Sequence, residues 1–143
     1  MRFMVIVKAN KDSEDGILPT SEQLAAMGRY NDELLKAGVM LGGEGLQSSA
    51  KGARVGMKGG KPVVVDGPFS ETKELIAGFW IWQVKDKAEA IEWAKKIPFE
   101  GDELVEIRQV FEPSEFEVDD VSREMLEKEK ARRAANPEMQ EKR

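Results

Sequence analysis

The chain has 143 residues, 41% of them hydrophobic, and a net charge of −5, which suits one folded domain with a modest core. The acidic balance disfavours nonspecific binding to nucleic acid or to anionic membranes, because both need a basic surface. Histidine and cysteine are absent, which excludes disulfides, a serine–histidine triad and the usual zinc ligands. We therefore expect neither a metal nor a cofactor.

The N-terminal apolar run at residues 3–7 is too short for a signal peptide, and a membrane span needs about 20 apolar residues. We therefore expect a cytoplasmic protein that does not insert into membranes.

The first half of the chain predicts a strand, a polar loop, a helix, a short strand and a glycine-rich turn, at residues 2–8, 10–19, 21–37, 39–41 and 42–45. A capping box marks the start of the helix, with Thr20 as N-cap and Gln23 three residues later. Gly38 stands where helices commonly end.

The second half predicts a hairpin, a long strand, a helix and a last strand, at residues 53–65, 75–85, 87–97 and 104–111. Without the hairpin, the order is the ferredoxin-like βαββαβ order of an α+β fold. We predict a domain over residues 1–113 and a charged, partly helical C-terminal tail over residues 114–143. Ion pairs four residues apart, such as Glu124–Lys128 and Glu129–Arg133, favour a helix in that tail.

The strand at 75–85 is apolar on both faces, with Trp80 and Trp82 on one side and Phe79 and Ile81 on the other. Two helices can cover only one face of the sheet. A larger core within one chain would account for the second face, but a partner sheet accounts for it better. We predict a homodimer that pairs its sheet faces.

The turn at residues 66–74, called the 66–74 turn below, gathers several ionisable side chains, among them Asp66, Glu71 and Lys73. An aspartate before Gly-Pro commonly accepts backbone N–H bonds in a turn. Alternatively, a carboxylate beside an apolar strand can have a raised pKa and act as an acid or base. A Mg²⁺ or Ca²⁺ site built from Asp66, Glu71 and Glu44 would have no recognisable ligand spacing.

The glycine-rich segment 42–48 fails the dinucleotide-binding pattern, because Ser48 stands where the last glycine belongs. We interpret its glycines as permitting a tight turn. Glu44 is then a lone carboxylate within flexible backbone.

The segment Asp66–Glu74 resembles the DGPF signature of YCII-related proteins, and residues 42–46, 78–80 and 106–111 are similar to further parts of that family. The resemblance spans residues 1–112 and implies a dimeric α/β barrel, in which ferredoxin-like protomers pair their open sheet faces. YCII relatives include a dehydrochlorinase that uses a histidine–aspartate pair. Gln47 stands where close relatives often have histidine, so the resemblance does not bring that chemistry to this chain.

Two functions follow from these patterns. The first is small-molecule binding, with or without catalysis, in a cleft between the sheet and the segments 42–49 and 66–74. Asp66 is its candidate catalytic acid or base, and the candidate ligand-binding residues are Glu44, Gln47, Glu71, Lys73, Trp80, Trp82 and Arg108. The alternative is a non-catalytic regulatory or protein-interaction module that docks through the dimer and the tail. Some DGPF-type proteins resemble partners encoded near alternative sigma factors, and through them the family resemblance supports the alternative.

Overall fold

The computed structural model describes residues 1–116 and 119–136 of the chain. The rest of the predicted tail, residues 117–118 and 137–143, lies outside the described residues. The strands are β1 (Arg2–Lys8), β2 (Met40–Gly45), β3 (Ala53–Lys58), β4 (Lys61–Asp66), β5 (Ile76–Gln83) and β6 (Val105–Gln109). The helices are α1 (Lys11–Glu14), α2 (Ser21–Lys36), α3 (Lys87–Ala94) and α4 (Asp120–Ala134). None of the described helices is long and apolar enough to cross a membrane.

The strands form two antiparallel sheets, which confirms the α+β prediction. Four strands pair in the order β2-β5-β1-β6, with each neighbouring pair antiparallel. β3 and β4 pair only with each other and form a separate hairpin, as the sequence predicted. The sheet therefore places β2 and β6 at its two edges, with the apolar strands β1 and β5 between them.

The core lies on one face of the four-stranded sheet, under α2 and α3. Phe3, Val5 and Trp82 are buried there against Leu34 of α2 and Ala90 of α3. Both helices thus pack on the same face of the sheet. Along each strand, every second side chain points to this face and the others point to the opposite face.

The opposite face of the sheet is apolar and half-buried, and we call it the open face. It consists of Met4 and Ile6 from β1 with Ala77, Phe79 and Ile81 from β5. Met4 pairs with Ile81 and Ile6 pairs with Phe79, so these side chains form one continuous patch. The two-sided apolar character predicted for residues 75–85 is thereby confirmed.

The predicted polar loop at 10–19 is wrong in part, because residues 11–14 form the short helix α1. Asn10 caps this helix: its side-chain oxygen accepts the Ser13 N–H at 2.9 Å, and Ser13 Oγ accepts the Asn10 N–H at 3.0 Å. A reciprocal capping box satisfies two N–H groups that a helix start would otherwise leave unpaired.

The glycine-rich turn predicted at 42–45 is also wrong, because β2 runs through these residues and pairs with β5. The glycines serve close packing. A Cβ on Gly43 would lie 2.8 Å from Cδ1 of Trp80, and a Cβ on Gly78 would lie 2.8 Å from the carbonyl oxygen of Glu44. Glycine therefore lets β2 and β5 approach under the indole ring.

The predicted helix starts are confirmed by their capping bonds. Thr20 Oγ1 accepts the Gln23 N–H at 3.1 Å, and Asp86 Oδ1 accepts the Glu89 N–H at 2.9 Å. Gly38 follows α2 with a φ of 70°, a left-handed conformation that suits glycine. α3 ends at Ala94, earlier than the predicted stop at 97, because Lys96 and Ile97 donate to carbonyls three residues back and so form a tighter turn.

The helix α4 confirms the predicted ion pairs, with Glu124–Lys128 at 3.0 Å and Glu129–Arg133 at 3.1 Å. This helix also contacts residues 1–113 through charged side chains. Nε of Arg2, a residue only 4% exposed, donates to Glu112 at 2.8 Å, and Arg133 lies 3.8 Å from the same carboxylate. The tail therefore meets the domain at a charged cluster.

Candidate functional site

The 66–74 turn packs against residues 48–52, which link β2 to the hairpin. The Gly67 N–H donates to the Gly52 carbonyl at 2.9 Å, and the Phe69 N–H donates to Ser49 Oγ at 3.0 Å. The Gly67–Pro68 peptide bond is cis. A Cβ on Gly67 would overlap the Ser49 carbonyl oxygen, so only glycine permits this approach of the two backbones.

Ser49 joins the 66–74 turn to α1. Its Oγ donates to Glu14 Oε2 at 2.5 Å, and its N–H donates to Glu14 Oε1 at 3.1 Å. Because the same Oγ accepts the Phe69 N–H, both the donor and an acceptor site of this hydroxyl are in use. Glu14 and Ser49 therefore position the turn.

Glu14 and Ser49 were not among the site residues predicted from the sequence. Glu14 lay in a segment predicted to be a loop, and Ser49 lay in the segment 42–49 that was predicted to border the cleft, with no role assigned to it. The bonds join positions 35 and 20 residues apart, and no local pattern marks such a pairing.

Arg54, the second residue of β3, attaches the hairpin to the turn. The carbon at the centre of its guanidinium group lies 3.9 Å from the centroid of the Phe69 ring. Such a cation–π contact contributes about 0.5–1 kcal/mol at an exposed site. The contact holds a cationic side chain beside the turn, and this residue was also missed from the sequence.

A cleft of about 470 Å³ opens where these segments meet, and we call it the turn cleft. Its walls combine cationic, polar and apolar side chains, including Gln47, Lys51, Arg54, Phe69, Leu75 and Ile76. Glu14 is the carboxylate that lines it, and Ser49 occupies both of its oxygens. The cleft therefore presents more positive than negative charge to a ligand.

A second cleft of about 270 Å³ lies at the β2 edge of the sheet, beside α2, and we call it the Trp80 cleft. Its lining includes Met27, Asn31, Met40, Glu44, Phe79 and Trp80. The indole N–H of Trp80 donates to Asn31 Oδ1 at 2.9 Å, which fixes the ring against α2.

The structure divides the predicted site residues rather than bringing them together. Gln47 lines the turn cleft, whereas Glu44 and Trp80 line the Trp80 cleft. Arg108 lies on β6, at the sheet edge opposite Glu44, and pairs with Glu106 at 3.3 Å. The carboxylates also stay apart: within the described residues, no three acidic side chains gather as a metal site would need.

Four other predicted residues line neither of these clefts. Trp82 is fully buried in the core, where its indole N–H has no hydrogen-bond partner among the described residues. Asp66, Glu71 and Lys73 are exposed on the 66–74 turn.

Asp66 does not cap the turn. It is exposed at the end of β4, opposite Ala53, and its carboxylate accepts no hydrogen bond from the residues that the structure describes. Ser49 performs the capping that the sequence assigned to Asp66, because the turn folds back onto a distant segment rather than onto itself.

The family model of the YCII-related domain matches residues 1–114 of the chain. The chain belongs to the YCII-related family. None of the curated proteins matches this YCII-related chain. The family match includes both clefts and the 66–74 turn, and it ends before α4 begins.

Replacing Ser49 with alanine should lower the free energy of unfolding by about 1–3 kcal/mol, because the Phe69 N–H and the Glu14 carboxylate lose their partner. Urea denaturation followed by tryptophan fluorescence measures the change. Ser48→Ala is the matched control, since the Ser48 side chain makes no capping bond. Equal stability of the two variants would show that Ser49 does not hold the turn.

Proposed function

We propose that this YCII-related chain binds a small anionic molecule in the turn cleft. The observation that carries the proposal is the charge of the cleft. Lys51 and Arg54 line it, while the carboxylate of Glu14 is occupied by Ser49. An anion entering the cleft therefore meets two cations against one carboxylate, which the two Ser49 bonds hold in place, so positive charge is in excess.

The other walls suit the remainder of such a ligand. Phe69, Leu75 and Ile76 contribute apolar surface, and Gln47 adds an amide that can donate or accept. A volume of about 470 Å³ lies within the usual range of small-molecule sites, roughly 300–1,000 Å³. The proposed ligand is thus a small carboxylate or phosphate with an apolar body.

Asp66 is the acid or base that we propose for any reaction at the rim of this cleft. It pairs across the hairpin with Ala53, which lines the cleft, and its carboxylate is exposed. Proton transfer needs a group within hydrogen-bond reach of the ligand. Asp66 is not itself a lining residue, so only a ligand that extends past Ala53 to the rim reaches its carboxylate. The binding proposal does not depend on catalysis.

We propose further that the sheet with α2 and α3 is a ferredoxin-like protomer, and that two protomers pair their open faces into a dimeric α/β barrel. The strand order β2-β5-β1-β6 supports the first part. The continuous apolar patch of Met4, Ile6, Phe79 and Ile81 supports the second, because a monomer rarely leaves such a sheet face in water.

A thermal-shift series with phenylacetate and its uncharged analogue phenylacetamide tests the binding proposal. Phenylacetate should raise the melting temperature in a saturable way, because a ligand that binds only the folded state stabilises it. Phenylacetamide should have little effect. Arg54→Gln should abolish the phenylacetate shift, whereas Arg29→Gln, at an exposed position on α2, should retain it. Equal shifts with both compounds, no shift with either, or equal behaviour of the two variants would overturn the proposal.

The hairpin favours a second candidate function, a protein-interaction module. Val55, Met57 and Val64 lie on one face of it and are 71%, 70% and 63% exposed. The hairpin also has three cations, Arg54, Lys58 and Lys61, against the carboxylate of Asp66. These features suit a protein partner with an acidic, apolar surface. A failed ligand series with a correctly folded protein would favour this function over the first.

A further inference from the structure

The Trp80 cleft has walls suited to an aromatic ring. Trp80 contributes aromatic surface, and Met27 and Met40 contribute flexible thioether side chains. Thioethers adapt to irregular shapes and make favourable contacts with aromatic rings. Trp80 is itself held between Tyr30, at 6.0 Å between ring centroids, and Trp82, at 5.8 Å. One wall of the cleft is therefore preorganised before any ligand enters.

Asn31 gives this cleft a single polar contact on the helix side. Its oxygen accepts the Trp80 indole N–H at 2.9 Å, and its amide nitrogen donates to no residue that the structure describes. A side-chain amide has two N–H donors. Asn31 can therefore donate to a carbonyl or similar acceptor on a bound molecule without releasing Trp80.

No cationic side chain lines the cleft within the described residues. Glu44 pairs with Phe79, so its side chain lies on the open face rather than in the cleft. An anion in the cleft would therefore lose water without gaining a counter-charge, whereas an uncharged ligand avoids that cost. In this respect the Trp80 cleft differs from the turn cleft, which two cations line.

We infer that the Trp80 cleft is a second binding site, for a small uncharged aromatic molecule with one hydrogen-bond acceptor that takes an N–H from Asn31. A volume of about 270 Å³ limits the ligand to a small molecule. The site is independent of the turn cleft, because the two clefts share no lining residue.

Gly45 offers a way to close the cleft without disturbing the fold. It lines the cleft and stands two residues from Gly43, on the same face of β2 as the Trp80 ring. A Cβ on Gly45 would meet no atom within 4 Å. Gly45→Val should therefore place a side chain in the cleft. Gly56→Val is the matched control, because Gly56 is also a strand glycine with open space around it, but lies on the hairpin.

The test uses acetophenone as the probe and follows the indole N–H signals in nitrogen-15 correlation spectra of the full chain. The Trp80 signal, assigned with Trp80→Phe, should move in a saturable way, while the Trp93 signal of α3 should stay. Benzoate at the same concentration should move the Trp80 signal much less. Gly45→Val should weaken acetophenone binding by about tenfold or more, and Gly56→Val should leave it unchanged.

A second variant keeps the test decisive if Gly45→Val does not fold. Asn31→Asp retains an oxygen for the Trp80 N–H but loses the amide donor, so acetophenone should bind about two- to tenfold more weakly. Toluene, which has no acceptor, should bind both proteins alike. Absence of a saturable Trp80 shift, equal movement of the Trp93 signal, or unchanged affinity in both variants would refute the site. Binding to the turn cleft is measured separately, by the thermal shift with phenylacetate and its loss in Arg54→Gln.

Discussion

Replacing Ile81 with lysine should convert a dimer into a monomer. The unmodified protein is expected to give a light-scattering mass of about twice the 16.0 kDa chain at micromolar concentration. Ile81 lies in the middle of the open face, paired with Met4, and is half-buried in one chain. A lysine there can reach water in the monomer, but a partner sheet would bury its ammonium without a counter-charge, which costs several kcal/mol. The dimer should weaken by roughly a hundredfold or more.

Ile91→Lys is the control for this experiment. Ile91 lies on α3, away from the open face, and is 38% exposed, so a lysine at this position should leave the mass at the dimer value. A monomeric unmodified protein would contradict the dimer outright. A dimer that survives Ile81→Lys would show that the chains associate through another surface.

Replacing Gly67 with alanine should be the most damaging small change in the 66–74 turn. The added Cβ would overlap the Ser49 carbonyl oxygen, and the obstacle is backbone, which cannot rotate aside as a side chain can. Overpacking of this kind lowers stability by about 1–3 kcal/mol. The turn should move away from Ser49, so the phenylacetate shift should also shrink.

Gly52→Ala adds the same methyl group to the facing segment, residues 48–52, without the overlap. A Cβ on Gly52 would lie 3.5 Å from the Ser49 carbonyl oxygen, an ordinary contact, and its φ of −107° suits any residue. Guanidinium denaturation of both variants separates the two cases. Were Gly67→Ala as stable as Gly52→Ala, the close approach of the two backbones would have no energetic importance.

Local chemistry made the helices and the central strands predictable. The caps at Thr20 and Asp86 act within three residues of sequence, so the pattern contains the whole interaction. The alternation of apolar residues along 75–85 likewise divided its side chains between two apolar faces, because successive residues of a strand point to opposite faces. Only the structure shows which of the two faces meets α2 and α3. A run of glycines does not indicate one type of element, since glycine suits a turn and a closely packed strand equally. Residues 42–45 were therefore predicted to be a turn, although they belong to β2.

The site was less predictable because its contacts are long-range. Nothing near Asp66 in the sequence indicates that a serine 17 residues earlier satisfies the turn, or that Glu14 holds that serine. The turn cleft overlaps the region where the sequence predicted a cleft, since residues 46–49 and Phe69 line it. Its charged residues, Lys51 and Arg54, were overlooked because isolated cations are common on any protein surface.

The hairpin of β3 and β4 also makes the protein adaptable as a scaffold. Its residues are exposed along both strands and pair only with each other, so their substitution leaves the core intact. Gly59 and Gly60 form its tip with φ values of 58° and 77°, the conformation of a tight two-residue loop. A foreign peptide grafted between these glycines would be displayed about 20 Å from the base of the hairpin, at 3.3 Å per residue over six residues of each strand. Such a loop can change in length and sequence independently of the sheet that supports it.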